Sequence, residues 1–123
     1  MAFGGRIVLS VFLFAGRFQA AVIAFEGRVW AVGGCESWSP LNSVEIYDPS
    51  TDTWCMGPSL TGPRRGCGIA VRKGQLIVVG GTDGSQSMCT TEILDSGKTF
   101  FLRNSMYLSL ESNNANDLSC SRK

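Results

Sequence analysis

A β-branched and aromatic run closing on two glycines occurs twice in this chain. The first copy is Arg28-Val29-Trp30-Ala31-Val32-Gly33-Gly34, and the second, 47 residues later, is Gln75-Leu76-Ile77-Val78-Val79-Gly80-Gly81. Outward from these runs, the same offset of 47 aligns Arg17–Pro63 with Arg64–Leu110 without a gap. Arg17 meets Arg64, Gly27 meets Gly74, Glu45-Ile46 meets Glu92-Ile93 and Asp48 meets Asp95. Conservative pairs fill the intervals: Val22/Ile69, Val29/Leu76, Tyr47/Leu94, Trp54/Phe101 and Glu36/Asp83. Self-similarity at one fixed period of this length marks a repeat architecture, in which each unit buries its apolar face on a neighbour.

Each unit reads locally as four short strands. Ala20–Phe25 or Cys67–Val71 leads to a tight turn at Glu26-Gly27 or Lys73-Gly74, where glycine supplies the positive φ that a hairpin needs. Arg28–Val32 or Gln75–Val79 follows, then the double glycine and a polar loop. A third strand lies around Val44–Tyr47 or Thr91–Leu94. The segment Asp48-Pro49-Ser50-Thr51-Asp52 then forces a turn, with Pro fixing φ and Asp able to bond its own backbone. A fourth strand begins at Thr53-Trp54 or Phe100-Phe101. No helical periodicity intervenes. The pattern predicts an all-β chain of two four-stranded antiparallel blades from an incomplete β-propeller. Its parts are an apolar N-terminal segment over 1–16 (a remnant strand of a preceding blade), blades over 17–63 and 64–110, and a disordered polar tail over 111–123. Propellers close at roughly 4–8 blades, so the pair is expected to be part of a larger ring, unless several copies assemble one.

The residues carry a family likeness. Gly33-Gly34, Glu45-Ile46-Tyr47-Asp48-Pro49 and Thr53-Trp54, with an Arg opening each unit, resemble the kelch repeat. The second copy departs from it at Leu94, Ser96 and Phe101, where the family has Tyr, Pro and Trp. Cys35-Glu36-Ser37-Trp38, followed by Leu41-Asn42-Ser43-Val44-Glu45, is similar to the cytosolic kelch-like proteins. The resemblance implies that Tyr47 and Trp54 are core anchors between adjacent sheets, and that Glu45 and Glu92 reach toward the opening arginines. So placed, Trp54→Ala would cost roughly 3–5 kcal/mol. It also implies a non-catalytic, cytoplasmic protein-interaction module. Such a module recruits substrates to a Cullin-3 ubiquitin ligase through a separate BTB domain, for which these residues leave no room, or it binds actin.

Composition narrows the alternatives. With 11 Lys+Arg against 10 Asp+Glu the formal charge is +1, which predicts neither a nucleic-acid surface nor an acidic tail. The absence of histidine removes Ser-His-Asp and Cys-His chemistry and most zinc sites. No phosphate loop, metal motif or cofactor motif is present, so no cofactor is expected. The rival enzymatic reading, a kelch propeller of an oxidase or a sugar-acid isomerase, lacks convergent acid groups to support it. Ile7–Ala15 is a run of 9 apolar residues, far short of the roughly 20 that span a bilayer, so no membrane partner is expected. With Arg6 ahead of it the run has the shape of a signal-peptide core, but Phe14 occupies the −3 position of a cut after Gly16. The 5 cysteines (Cys35, Cys55, Cys67, Cys89 and Cys120) form no Cys-x-x-Cys pair, and they read as reduced, small hydrophobes of a reducing compartment.

Candidate contacts for a protein partner fall on loops, which a rigid scaffold presents. The two loops after the double glycines contribute Glu36, Ser37 and Trp38 from one unit and Asp83, Ser85 and Gln86 from the other. Trp38 stands out because its counterpart is Ser85; it is either a partner anchor or a lid over its own blade. Arg64 and Arg65 in the inter-blade linker complete the set. Arg64 has Arg17 as its counterpart and reads equally as a structural residue. Arg65 replaces Phe18 and is suited to grip an acidic segment in bidentate fashion, against the alternative of a solvated surface side chain.

Overall fold

The computed structural model describes residues 17–104, so the segments 1–16 and 111–123 lie outside the described residues. In chain order the strands are β1 (Ala21–Phe25), β2 (Arg28–Val32), β3 (Cys35–Glu36), β4 (Ser39–Pro40) and β5 (Val44–Asp48). They continue with β6 (Thr53–Met56), β7 (Gly68–Arg72), β8 (Gln75–Val79), β9 (Thr91–Asp95) and β10 (Leu102–Asn104). Two four-stranded antiparallel sheets result, in the orders β1-β2-β5-β6 and β10-β9-β8-β7, and neither borrows a strand from the other. The sequence period survives in the register. Ala21 pairs with Val32 as Gly68 pairs with Val79, and Val29 pairs with Tyr47 as Leu76 pairs with Leu94. These are the two all-β blades that the repeat predicts.

Local chemistry explains the hairpins. Glu26-Gly27 has φ of 56° and 73°, and Lys73-Gly74 has 51° and 75°. Two successive left-handed residues make the turn whose twist matches that of the flanking strands. Asp48 secures the next turn: its Oδ1 accepts from Ser50 N–H at 2.9 Å and Ser50 Oγ at 2.7 Å. These bonds hold the Asp48 carboxyl below its ordinary range. In the second blade the last strand starts at Leu102, just beyond the predicted Phe100-Phe101. The loop after Gly33-Gly34 carries a short ribbon, β3 paired with β4, where the sequence reads only as polar loop.

One apolar layer joins the sheets. Trp30, Val32, Val44 and Ile46 pack with Leu76, Val78, Leu94 and Phe101, closed at the margins by Phe25 and Leu60. Side chains alternate across a strand, so Ile46 faces the second sheet and Tyr47 faces away from it. Tyr47 is a buried core residue, as expected of an anchor, but neither it nor Trp54 belongs to the layer that joins these two sheets. Their rings pack on each other at 5.3 Å on the far side of the first sheet, and Trp54 is only half-buried. Their counterparts Leu94 and Phe101 occupy the inter-sheet layer instead. The cysteine reading also needs correction. Cys35, Cys55 and Cys67 are free, but Cys89 is disulfide-bonded, so the cysteines do not all report a reduced state. Burial pushes the Cys67 thiol up and keeps it protonated.

Arg64 clamps the two sheets together. Its main chain belongs to the first blade: its N–H donates to Leu41 O at 3.0 Å, and its carbonyl accepts from Gly34 N–H at 2.7 Å. Its side chain belongs to the second. Nη1 donates to Gly80 O and Thr90 O, both at 2.9 Å, and Nε donates to Glu92 Oε2 at 2.8 Å. The other oxygen of Glu92 accepts from Thr61 N–H at 2.6 Å. Arg17 repeats the pattern on Gly33 O, Ser43 O and Glu45. A Cβ on Gly34 would lie 2.6 Å from Phe18 O, and one on Gly33 would collide with Arg64 O, so both positions require glycine.

Two stability differences follow. Phe101→Ala is expected to cost about 3–5 kcal/mol through a cavity in the shared layer, and Trp54→Ala clearly less; equal losses in urea unfolding would contradict the assignment of faces. Glu92→Gln leaves a dry guanidinium uncompensated and is expected to cost about 3 kcal/mol or more. Glu45→Gln should cost less, because the Arg17–Glu45 contact is longer at 3.1 Å and Glu45 Oε1 has no hydrogen-bond partner among the described residues.

Candidate partner-binding groove

The chain crosses between strands at two ends of each sheet. At one end lie the double glycines, their loops and the inter-blade linker. Main-chain bridges hold this rim. Phe18 exchanges two hydrogen bonds with Cys35, both 2.8 Å, and Arg65 exchanges two with Thr82, both 3.0 Å. Phe18 and Arg65 therefore stand at equivalent places on neighbouring blades. Gly66 N–H, which donates to Gln19 O at 3.1 Å, ties the two places together.

Between them opens a groove of about 420 Å³ lined by Phe18, Gln19, Cys35, Ser37, Trp38 and Arg65. Three of the residues picked from sequence, Ser37, Trp38 and Arg65, converge there. Glu36, Asp83, Ser85 and Gln86 lie on the same rim without lining the groove. Asp83 instead braces its own loop: its Oδ1 accepts from Ser85 N–H at 2.8 Å and Gln86 N–H at 2.9 Å. Those backbone donors, Gln86 foremost, hold its carboxyl below the ordinary range. The two loops also abut, since a Cβ on Gly84 would lie 3.1 Å from Pro40 Cγ.

Arg64 must be taken out of the contact set. It is 0% exposed with its guanidinium engaged, so its side chain cannot meet a partner. Phe18, Gln19 and Cys35 are lining residues that the sequence reading did not pick. Phe18 was within reach, because the repeat already placed it opposite Arg65.

Trp38 is the unusual member. It is 86% exposed, which excludes a lid buried on its own blade. It also sits in the left-handed region at φ 71°, directly after Ser37 at φ 50°. That conformation costs a non-glycine residue roughly 1–2 kcal/mol, and among the described residues neither burial nor a hydrogen bond of the ring offsets it. At the opposite end of the sheets a more open cleft of about 390 Å³ runs past Glu26, Arg28, Asp95 and Lys98. Its charges are partly engaged already, Arg28 with Glu26 at 3.7 Å and Glu26 with Ser96 of the other blade. The rim groove is the better candidate.

The Kelch motif family model matches residues 16–61 and 63–98. The chain is 38% identical over 66 residues to kelch-like protein 35 of Mus musculus, covering 54% of this chain and 12% of that protein. It is 37% identical over 62 residues to Kelch repeat and BTB domain-containing protein 13 of Homo sapiens, covering 50% of this chain and 14% of that protein. Against the influenza virus NS1A-binding protein homolog of Mus musculus it is 43% identical over 59 residues, 48% of this chain and 9% of that protein. The chain thus spans a small part of the relatives it matches.

Glycine at position 38 should relieve the left-handed strain at an entropic cost of roughly 0.5–1 kcal/mol. Trp38→Gly is therefore expected to leave the chain equally stable or up to about 1 kcal/mol more stable. A loss beyond about 1 kcal/mol in urea unfolding would show that the ring supports its own blade.

Proposed function

This chain belongs to the kelch-motif family, and on that premise we propose that it docks a protein partner in the rim groove between Phe18, Trp38 and Arg65. The observation that carries the reading is Trp38, a large apolar side chain held in solvent at the expense of backbone strain. Strain persists where the surroundings over-determine it, and it gathers at sites of recognition. Tryptophan and arginine are also the side chains most often found as interface anchors. The scaffold behind them is rigid, because the clamped Arg64 leaves little freedom to the linker that bears Arg65.

The same reading places the protein in the cytoplasm as the substrate-recognising part of a Cullin-3 ubiquitin ligase adaptor, without catalytic activity of its own. A relative whose name joins kelch repeats to a BTB domain supports that assignment. Immunoprecipitation of the full-length product from cells tests it. Co-precipitation of Cullin-3 is expected, with other partners lost in a Trp38→Ala variant and Cullin-3 retained. Absence of Cullin-3 alongside co-sedimentation with filamentous actin would overturn the ligase reading in favour of a cytoskeletal one.

A further inference from the structure

Two copies of one buried charged joint are met differently. In the second blade Glu92 accepts from Arg64 Nε at 2.8 Å through Oε2 and from the Thr61 N–H at 2.6 Å through Oε1. Both of its oxygens are thus satisfied by residues three apart in one linker. In the first blade Arg17 Nη2 reaches Glu45 Oε2 at 3.1 Å, but Glu45 Oε1 has no hydrogen-bond partner among the described residues. Both side chains are dry all the same, Arg17 at 5% exposed and Glu45 at 4%. A buried carboxylate oxygen without a donor is costly, so the site requires one more N–H.

The face around Glu45 also requires cover. Val29, Ala31, Glu45 and Tyr47 are all buried, although the second sheet packs on the opposite face of theirs. They pair as Val29 with Tyr47 and Ala31 with Glu45, the register in which Leu76 pairs with Leu94 and Val78 with Glu92. In that second blade the first sheet supplies the cover, and Leu60, one residue before Thr61, closes the margin. The period of 47 names the counterparts of Leu60 and Thr61 as Leu13 and Phe14. Phe14 stands three residues before Arg17, as Thr61 stands before Arg64, so the chain that delivers the guanidinium can deliver the donor beside it. Leu13 belongs to the run Ile7–Ala15, whose apolar side chains gain by leaving water for such a face.

We propose that the face of the first sheet turned away from the second is the seat of this chain's own segment Ile7–Ala15, with Leu13 at its margin and the Phe14 N–H donating to Glu45 Oε1. The run then serves the fold and is not a detachable leader. The proposal stands apart from the partner reading, since neither needs the other.

Amide hydrogen exchange of the full chain, followed residue by residue in NMR spectra, tests it. The Phe14 amide is expected to exchange at least about a hundredfold more slowly than in an unstructured peptide, as the Thr61 amide does. Replacing the ion pair as a unit, Arg17→Leu with Glu45→Leu, leaves no buried charge unpaired. It should return Phe14 to within about tenfold of the free rate while Thr61 stays slow. Leu13→Ser, with the pair intact, should speed Phe14 exchange at least about tenfold.

A fast Phe14 amide in the unaltered chain overturns the proposal, whatever Thr61 does. So does slow exchange at Phe14 that survives the loss of Glu45, or that is indifferent to Leu13→Ser. Protection of Phe14 that fades on dilution assigns the face to a second copy of the chain and overturns the intramolecular seat.

Discussion

A guanidinium sealed between two sheets is the constraint on which the rest of this molecule depends. Arg64 is 0% exposed, and its charge is met by Glu92 at 2.8 Å together with the carbonyls of Gly80 and Thr90. A buried ion pair is a weak source of net stability, because desolvation offsets most of the attraction. Its effect is on geometry. The side chain reads the second sheet while the main chain of the same residue is bonded to Leu41 and Gly34 of the first. Displacing either sheet by one register would strand a charge or a backbone group away from water. The apolar layer supplies the driving force, and the arginine restricts it to one arrangement.

The double glycines follow from that joint. The Arg64 carbonyl leaves no room for a Cβ at Gly33, as the Phe18 carbonyl leaves none at Gly34, and the chain then leaves the second strand in a left-handed course. That exit sends the Cys35–Pro40 ribbon over the rim. It also brings Phe18 of one blade beside Arg65 of the next, each fixed by a reciprocal pair of main-chain bonds. The groove is thus a product of the inter-blade joint and belongs to neither blade alone. Its exposed aromatics can be kept because the scaffold beneath them is already stable.

Much of this was legible before any coordinate. The hairpin turns at Glu26-Gly27 and Lys73-Gly74 were readable because a positive φ needs glycine, and both sheets were readable because the same pattern returns 47 residues later. Arg17 and Arg64 could be recognised as blade openers, with Glu45 and Glu92 as their partners. The side of the sheet was harder. Tyr47 and Trp54 look like anchors between these two sheets, yet they lie outside the shared layer, Tyr47 still buried, while Leu94 and Phe101 fill it. Alternation tells which residues share a face, but it does not tell which face meets a neighbour. The ribbon β3–β4 was not legible either, since a two-residue strand carries no periodicity.

The amino-acid order by itself determined the repeat, the strands and the hairpin turns, because these depend on local backbone sterics and on contacts within one unit. Burial of Arg64, exposure of Trp38 and convergence of Phe18 with Arg65 were decided only when two units met. Side chains 47 residues apart become neighbours through a shared linker and a packed interface. No pattern along a single unit encodes which of its loops the next one will face.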